Sequence, residues 1–509
     1  MSFSRVYSSQ PIGIDGVIVS IETDIVSKTL HAFSIVGLPD KAVEEARDRV
    51  SSAIKNSGFK SPKSQNQKVV VSLQPADIKK EGSTYDMAIA VGYLISHGDI
   101  SFVPDNKIFI GELSLNGEIQ SVRGILPMLK VAVSNNIKEA FIPEKNKEEA
   151  SLVNGINIYP VKNLEELINH LQNIENKKIE ILEPSEIENL ESKSDIDFAD
   201  IKGQDSAKRG LLISASGGHN ALLYGPPGTG KTMLAKSLAS ILPPLKKDEI
   251  VELTGIHSVA GTNHGIVKNR PFRSPHHTSS YVSIVGGGTT PKPGEITLSH
   301  RGVLFLDEFP EFDRRVIESL REPLEEGHIR VARSKGTSIF PAKFILISSM
   351  NPCPCGYFGS KKKRCVCNPN DLIRYTKKIS GPILDRIDLK MEVADITYDT
   401  LTDKTRDEKN STKSLKEKVI QARKIQEERF KKFGLHYKTN SEVGAKDIDK
   451  LNIEDSAMTI LKASAERLGL SARSFHRLIK VARTIADLEE SENIKDKHIL
   501  EAIQYRLKE

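Results

Sequence analysis

The chain of 509 residues contains four cysteines, and all of them fall within fifteen positions: Cys353, Cys355, Cys365 and Cys367. Four thiolates in a C-x-C-x9-C-x-C pattern can surround Zn²⁺ as a tetrahedron, which would be structural because no coordination position stays open. The single residue inside each pair is a tighter spacing than zinc sites usually have. Reduced free thiols and a redox role therefore remain alternatives to a metal site.

A second cluster of chemically capable residues is the segment GPPGTGKT, which fits the phosphate-binding pattern G-x-x-x-x-G-K-[ST] at every position. The apolar run 221–224 predicts a strand before it, and a helical pattern follows from Met233. Lys231 is expected to reach the β- and γ-phosphates, and the Thr232 hydroxyl to hold Mg²⁺. The predicted nucleotide-binding residues of this loop are Gly225, Pro226, Pro227, Gly228, Thr229, Gly230, Lys231 and Thr232.

Two further apolar runs end in polar residues that could complete this site. GVLFLDE predicts a strand that delivers Asp307 to the magnesium ion and Glu308 to a position beside the γ-phosphate. Glu308 would then activate the attacking water as a general base. FILISSMN predicts a third strand that ends at Asn351, whose side chain can order the same water.

The bulk composition limits the classes of protein that the chain can belong to. A length of 509 residues implies two to four domains. No apolar run approaches the eighteen or so residues that span a bilayer, and the N-terminus has no signal-peptide pattern, so we expect a cytoplasmic protein with no membrane partner. The net charge of +6 permits a nucleic-acid partner without requiring one.

The patterns along the chain predict an α/β multidomain protein with four segments. Residues 1–172 alternate strand and helix patterns, and residues 173–197 form a polar, acidic linker. Residues 198–395 carry the nucleotide-binding pattern, and residues 396–509 are helical by periodicity.

Several longer segments together resemble one family, the YifB/ComM family of bacterial AAA+ ATPases described as magnesium chelatase-like. They are KGQDSAKRG, GHNALLYGPPGTGKT, RPFRSPHHTSS, GGGTTPKPGEITLSHRGVLFLDEFPEF, MNPCPCGYFG, SGPILDRIDL and SARSFHRLIKVARTIADL. The resemblance covers essentially the full chain. It implies an AAA+ P-loop ATPase core with a C-terminal helical lid, and ATP with Mg²⁺ at the core.

The resemblance also implies roles for residues that spacing does not reveal. Arg386 matches the arginine finger that reaches the γ-phosphate of the neighbouring subunit, so the active enzyme would be a homo-hexameric ring. Arg473 matches the sensor-2 arginine of the lid, and Asn351 matches sensor 1. Without the resemblance, an internal salt bridge of Arg386 with Asp385 or Asp388 is the favoured interpretation. His276 and His277 belong to the family signature and receive no chemical role.

Two basic segments are candidate DNA contacts. Residues 327–342 predict a β-hairpin, and the resemblance places a hairpin of this kind in the ring pore, where Arg330, Arg333 and Lys335 would suit a polyanion. The run KKKR between the cysteine pairs supplies Lys361, Lys362, Lys363 and Arg364. For both segments, solvated surface charge is an equally good interpretation.

The N-terminal segment resembles the S5-like α+β fold of the Lon protease domain through KKEGSTYD and GEIQSVRGIL. The positions that match the Ser–Lys dyad of Lon are Thr84 and Leu126. Leucine cannot serve as a base, so the resemblance predicts a protease fold without protease activity.

Three functions are open from the sequence. The resemblance implies a motor on DNA (single-stranded, duplex or branched) with helicase or branch-migration activity, working with recombination proteins on incoming DNA in natural transformation. The second is a chelatase-type motor that remodels a partner enzyme. The third is a chaperone or ATP-dependent protease, against which the missing dyad lysine argues.

Overall fold

The computed structural model describes residues 2–185, 196–262, 265–288, 291–333, 336–360, 363–396, 400, 402 and 407–506. The chain forms two compact units, which are described separately. Unit 1 comprises Met1–Glu188 and Lys246–Val267, and unit 2 comprises Asn189–Leu245 and Lys268–Glu509. Among the helices of the described ranges, none combines the length and the apolar character needed to cross a membrane.

Strands and helices are numbered here in chain order. The strands are β1 Phe3–Ile12, β2 Asp15–Ser27, β3 Ala32–Val36, β4 Gln67–Gln74, β5 Lys107–Phe109, β6 Glu112–Leu113, β7 Ile119–Gln120, β8 Glu139–Pro143, β9 Asn157–Val161, β10 Ala221–Tyr224, β11 Phe272–Arg273, β12 Gly286–Gly287, β13 Lys292–Pro293, β14 Val303–Leu306, β15 His328–Arg333, β16 Gly336–Pro341, β17 Ile345–Met350 and β18 Leu389–Glu392. The helices are α1 Lys41–Asn56, α2 Asp86–His97, α3 Ile125–Ser134, α4 Lys147–Ala150, α5 Leu164–Leu171, α6 Asp205–Gly217, α7 Lys231–Ile241, α8 Lys247–Ala260, α9 Tyr281–Val285, α10 Glu295–Leu298, α11 Arg314–Ser319, α12 Arg321–Glu326, α13 Pro369–Thr376, α14 Gly381–Leu384, α15 Thr412–Lys432, α16 Asp455–Leu468, α17 Ala472–Leu488 and α18 Asp496–Gln504.

Unit 1 is built on a mixed seven-stranded sheet in the order β3-β4-β2-β1-β5-β8-β9. The β1, β2 and β4 strands pair antiparallel, and the remaining neighbours pair parallel. Burial alternates residue by residue along β4, as expected of a strand with one face on a core. The α1 and α2 helices contribute apolar residues to that core.

The segment 246–267 belongs to unit 1 by its contacts, although its sequence lies within the range predicted for the ATPase core. Its α8 helix packs on α3. The Ser258 hydroxyl donates to the buried Glu149 carboxylate at 2.7 Å and accepts from the Gly124 N–H at 3.0 Å. These side-chain contacts join segments that are distant in sequence, so chain order does not reveal them.

The two positions that match the Lon dyad lie in unit 1. Leu126 is fully buried in α3. The Thr84 hydroxyl is buried and has no hydrogen-bond partner among the described residues. The absence of a base at Leu126, predicted from the sequence, therefore coincides with a core position for that side chain.

Unit 2 contains a five-stranded sheet in the order β11-β14-β17-β10-β18. All its pairs are parallel, and Leu306 of β14 lies beside Ser348 of β17 while Tyr224 of β10 lies beside Met350. The strands are short, apolar and almost completely buried, which is typical of a parallel sheet covered on both faces. The register brings the carboxyl ends of β10, β14 and β17 to one edge.

The helices α15 to α18 pack around an apolar core that includes residues of this sheet. Arg483 of α17 is buried in it, and the cost of burying the charge is offset by partners on several sides. Its guanidinium donates to the Asp487 carboxylate at 2.9 Å and to the backbone oxygens of Ser491 and Glu492. The predicted β-hairpin is confirmed as β15 paired antiparallel with β16.

The buried Glu149 carboxyl predicts a pH-dependent stability of unit 1. Burial raises its pKa from about 4.5 to about 7, opposed by the hydrogen bond from Ser258. The folded state therefore holds its proton more tightly than the unfolded chain, and stability is lost as pH rises from about 4.5 through about 7. We expect Glu149→Gln to match the wild type at pH 4.5 and to exceed its free energy of unfolding by about 3 kcal/mol at pH 8.5.

Urea unfolding followed by circular dichroism at the two pH values measures this difference. The matched control is Glu148→Gln, because Glu148 is the exposed neighbour on the same helix. A Glu149→Gln variant that is less stable than the wild type at pH 8.5 would contradict the assignment.

Candidate nucleotide site and cysteine cluster

The Lys231 ammonium group is the centre of the predicted phosphate site. The helix α7 begins at Lys231, two residues earlier than the pattern predicted, and Gly230 precedes it with φ +89°. The Lys231 Nζ donates to the backbone oxygens of Gly225 and Pro226, both at 2.7 Å, and to Asn351 Oδ1 at 3.2 Å. The loop and the end of β17 therefore converge on one cation.

The surroundings of Lys231 fit an anionic ligand. Burial lowers the pKa of Lys231, and the nearby Asp307 and Glu308 carboxylates oppose that shift. The space around a side chain added at Gly228 or Gly230 would be open, since no atom of the described residues lies within 4 Å of it. A loop with open space, a buried cation and a helix N-terminus matches the requirements of bound phosphates.

Asp307 and Thr232 form the second part of the site. The Thr232 hydroxyl donates to Asp307 Oδ2 at 2.9 Å. The other carboxylate oxygen of Asp307 accepts from the Glu308 N–H at 3.0 Å and from the Ser349 hydroxyl. A hydroxyl and a carboxylate held together are oxygen ligands of the kind that Mg²⁺ takes beside phosphates, so this pair fits the predicted metal.

Glu308 has a partner that the sequence did not indicate. Its carboxylate lies 3.3 Å from His277 Nδ1, and its own backbone is in the left-handed region with φ +52°. The His277 ring is held by His276, with ring centroids 4.2 Å apart, and by the edge of Phe312 at 6.4 Å. His277 follows strand β11, which neighbours β14 in the sheet, and that adjacency is visible only in the fold.

The two family arginines share one carboxylate of the same chain. Both Arg386 and Arg473 donate to Glu325, and Arg386 also donates to the Pro382 oxygen at 2.6 Å. Arg386 is 5% exposed. The salt bridge of Arg386 is therefore to Glu325, a partner 61 positions away, and not to the neighbouring carboxylates considered from the sequence.

One of those neighbouring carboxylates, Asp388, has a different role. Arg477 donates to Asp388 Oδ1 at 2.5 Å, and His219 lies 3.3 Å from the other oxygen. Burial alone would raise the pKa of Asp388, but Arg477 and His219 hold it well below its usual range. Asp388 thus ties β10, the Arg386 loop and α17 together as a buried ion network.

The four cysteines are brought together by the loop between β17 and α13. Their sulfur atoms all lie within 4.8 Å of one another. Cys353 Sγ is 3.3 Å from Cys355 Sγ and 3.8 Å from Cys365 Sγ, and Cys355 Sγ is 3.6 Å from Cys365 Sγ. Backbone N–H groups of Val366 and Tyr357 lower the pKa of Cys355 to about 6. The cluster predicted from spacing is therefore one compact set of thiols.

The candidate DNA contacts differ in how much of their charge is available. Arg330 pairs with Glu322 and Glu326, each at 3.1 Å. Lys363 lies over the Tyr357 ring at 4.7 Å, and Arg364 is exposed. The positions Lys335, Lys361 and Lys362 and the side chain of Arg333 lie outside the described residues.

A basic groove of about 550 Å³ lies on the surface of unit 2. Two of its cations are paired, Lys378 with Glu311 and Arg374 with Asp371, each at 2.8 Å. The residues that line it are Pro310, Glu311, Phe312, Arg314, Asn370, Ile373, Arg374, Lys377 and Lys378. Sequence analysis singled out neither the groove nor Arg314.

Comparison with known proteins agrees with these motifs. Three family models match: magnesium chelatase subunit ChlI over residues 197–401, subunit ChlI of Mg-chelatase over residues 21–146, and the ChlI C-terminal model over residues 409–506. A Lon protease of Buchnera aphidicola is 26% identical over 163 residues, which is 30% of this chain and 21% of that protein.

Two relatives match along nearly the whole chain. The competence protein ComM of Haemophilus influenzae is 40% identical, covering 99% of this chain and 98% of ComM. YifB of Escherichia coli is 38% identical, covering 99% of this chain and 97% of YifB. Identity at this level over the full length, together with an α/β AAA+-like fold, shows that the chain belongs to the magnesium chelatase-like family that includes ComM and YifB.

Proposed function

We propose that this protein is an ATP-driven motor on DNA, which works in the cytoplasm as a homo-hexamer and promotes recombination of incoming DNA in natural transformation. The observation that carries the ATPase part is the convergence of Lys231, Asp307 and Asn351 at one sheet edge. The DNA part rests on full-length similarity to ComM, whose name describes a competence protein. An N-terminal Lon-like domain and a C-terminal helical lid complete the proposed arrangement.

The residues of the site have separate roles in this proposal. Lys231 and the loop N–H groups bind the β- and γ-phosphates of ATP, and Thr232 and Asp307 hold Mg²⁺, which neutralises phosphate charge when bound. Glu308 takes a proton from the attacking water, and Asn351 orients that water. Since phosphoryl transfer spreads negative charge over the transferred group, Arg386 and Arg473 lower the barrier by facing it.

The salt bridges of Glu325 have a consequence for the arginines. In the single chain both arginines are bound to Glu325, so neither faces another subunit. We infer that assembly of the ring releases Arg386 from Glu325 toward the neighbouring nucleotide. The alternative function, a chelatase-like or chaperone-like ATPase that remodels a protein partner, uses the same site without DNA.

The proposed action on DNA is tested with a labelled four-way junction. We expect the wild type with Mg²⁺ and ATP to convert the junction into duplex products, and Lys231→Ala, which lacks the phosphate-binding ammonium group, to leave it intact. Fluorescence energy transfer between the junction arms measures the conversion. An intact junction with an ATPase that responds to a protein partner and to no DNA would favour the remodelling function instead.

The arginine finger is tested by mixing two inactive variants. Arg386→Ala keeps an intact phosphate loop, and Lys231→Ala keeps an intact Arg386. If Arg386 acts across the subunit interface, a mixed ring contains complete sites and the mixture regains up to about a quarter of the wild-type ATPase rate, whereas each variant alone stays at least about tenfold slower. A mixture that is as inactive as its components would show that Arg386 acts within its own chain.

The contact between His277 and Glu308 predicts that His277 orients the general base. Loss of a general base costs about 10²-fold or more in kcat, and we expect His277→Ala to cost about tenfold with KM for ATP unchanged. His277→Gln should retain more activity because its amide can still donate to Glu308. The exposed His436 provides the control His436→Ala.

A double-mutant cycle separates positioning from a general structural effect. In a Glu308→Gln chain, His277→Ala should cause no further loss of kcat, because the group that it orients is already gone. An additional tenfold loss in that background would contradict the positioning role.

A further inference from the structure

The cysteine cluster has the dimensions of a tetrahedral thiolate site. A tetrahedron with metal–sulfur bonds of about 2.3 Å has sulfur–sulfur edges of about 3.8 Å. The measured separations of 3.3, 3.8 and 3.6 Å among Cys353, Cys355 and Cys365 lie close to that edge. The Cys367 sulfur completes the set within 4.8 Å of the others.

The chemistry of the donors selects the metal. All four cysteines are free, and sulfur atoms more than 3 Å apart are far beyond the disulfide bond length of about 2.05 Å. Four thiolates favour Zn²⁺ over the harder cations Mg²⁺ and Ca²⁺, and they leave no open position for a water molecule. A metal at this cluster would therefore hold the loop together and take no part in hydrolysis.

The same loop lies directly on the phosphate loop. The turn is closed by the Gly356 N–H, which donates to the Cys353 oxygen at 2.9 Å. A side-chain carbon added at Gly356 would lie 2.9 Å from Pro227 Cδ and 4.0 Å from Asn351 Cγ. Gly356 has φ +83°, so the turn needs glycine both for its backbone and for this close approach.

We propose that the four cysteines bind one structural Zn²⁺ and that the metal-held turn at Gly356 braces Pro227 and Asn351 in the nucleotide site. The proposal deepens the proposed ATPase function and rests on it for the nucleotide readout. Loss of the metal frees the loop from Cys353 to Cys367, and the phosphate loop then loses the surface against which Pro227 packs. Zinc content and nucleotide affinity are thereby linked although the metal does not contact the nucleotide.

The first experiment measures the metal on the full chain. We expect about one Zn²⁺ per chain by elemental analysis, released by a mercurial reagent after about four thiols have reacted. Replacement by Co²⁺ should give the visible absorption of tetrahedral cobalt thiolate. Cys365→Ser with Cys367→Ser should hold no zinc. Zinc-replete wild-type protein that retains neither Zn²⁺ nor Co²⁺ would overturn the metal site.

The second experiment tests the brace with all four cysteines in place. Gly356→Ala introduces a carbon against Pro227, whereas Gly359→Ala introduces one in the same loop, at a similar φ of +77°, where nothing lies within 4 Å. We expect both variants to keep zinc. Gly356→Ala should raise the dissociation constant of a fluorescent ATP analogue about tenfold, and Gly359→Ala should leave it near the wild-type value.

The outcomes separate this inference from the function on which it rests. If Gly356→Ala binds the analogue like Gly359→Ala while Lys231→Ala has lost binding, the brace is wrong and the nucleotide site stands. If Lys231→Ala binds as tightly as the wild type, the nucleotide site itself is wrong. Zinc content is measured independently of either result.

Discussion

The parallel register of β10, β14 and β17 is the constraint on which the rest of unit 2 depends. It ends three buried strands at one edge, so that Lys231 meets Asn351 and Thr232 meets Asp307. Main-chain hydrogen bonds fix that register, and a shift of one residue would turn every strand side chain to the opposite face. The chemistry of the site is therefore set by the sheet before any ligand binds.

Buried and half-buried charges extend this order to the surrounding loops. The Lys231 ammonium group is satisfied by carbonyl oxygens, Arg386 and Arg473 share the Glu325 carboxylate, and Asp388 links three segments through ion pairs. A charge that leaves one of these partners needs another, because an unpaired buried charge is costly. Negatively charged phosphates are suitable replacements for both the carbonyl oxygens and the carboxylate. The resting contacts of the site thus mark the groups that exchange partners during the proposed reaction.

Much of the site was predictable because its signals are local. The segment before Lys231 has a spacing that few structures other than phosphate loops require, and the strand, the hairpin and the clustering of the cysteines followed from pattern and proximity in sequence. The contacts of His277 with Glu308 and of Arg386 with Glu325 could not be predicted, because they join residues more than thirty positions apart. The grouping of residues 246–267 with unit 1 depends likewise on packing, through Ser258 and Glu149. Sequence patterns specify elements and motifs, whereas side-chain partners across elements require the fold.

The most direct test of the central claim is the initial rate of ATP hydrolysis in Mg²⁺, measured for the wild type and for Glu308→Gln with and without branched DNA. The account predicts a wild-type rate that branched DNA increases several-fold, and a Glu308→Gln rate about 10²-fold lower in both conditions. A wild-type rate that no DNA changes would contradict the assignment of a DNA motor. A Glu308→Gln rate equal to that of the wild type would contradict the site itself.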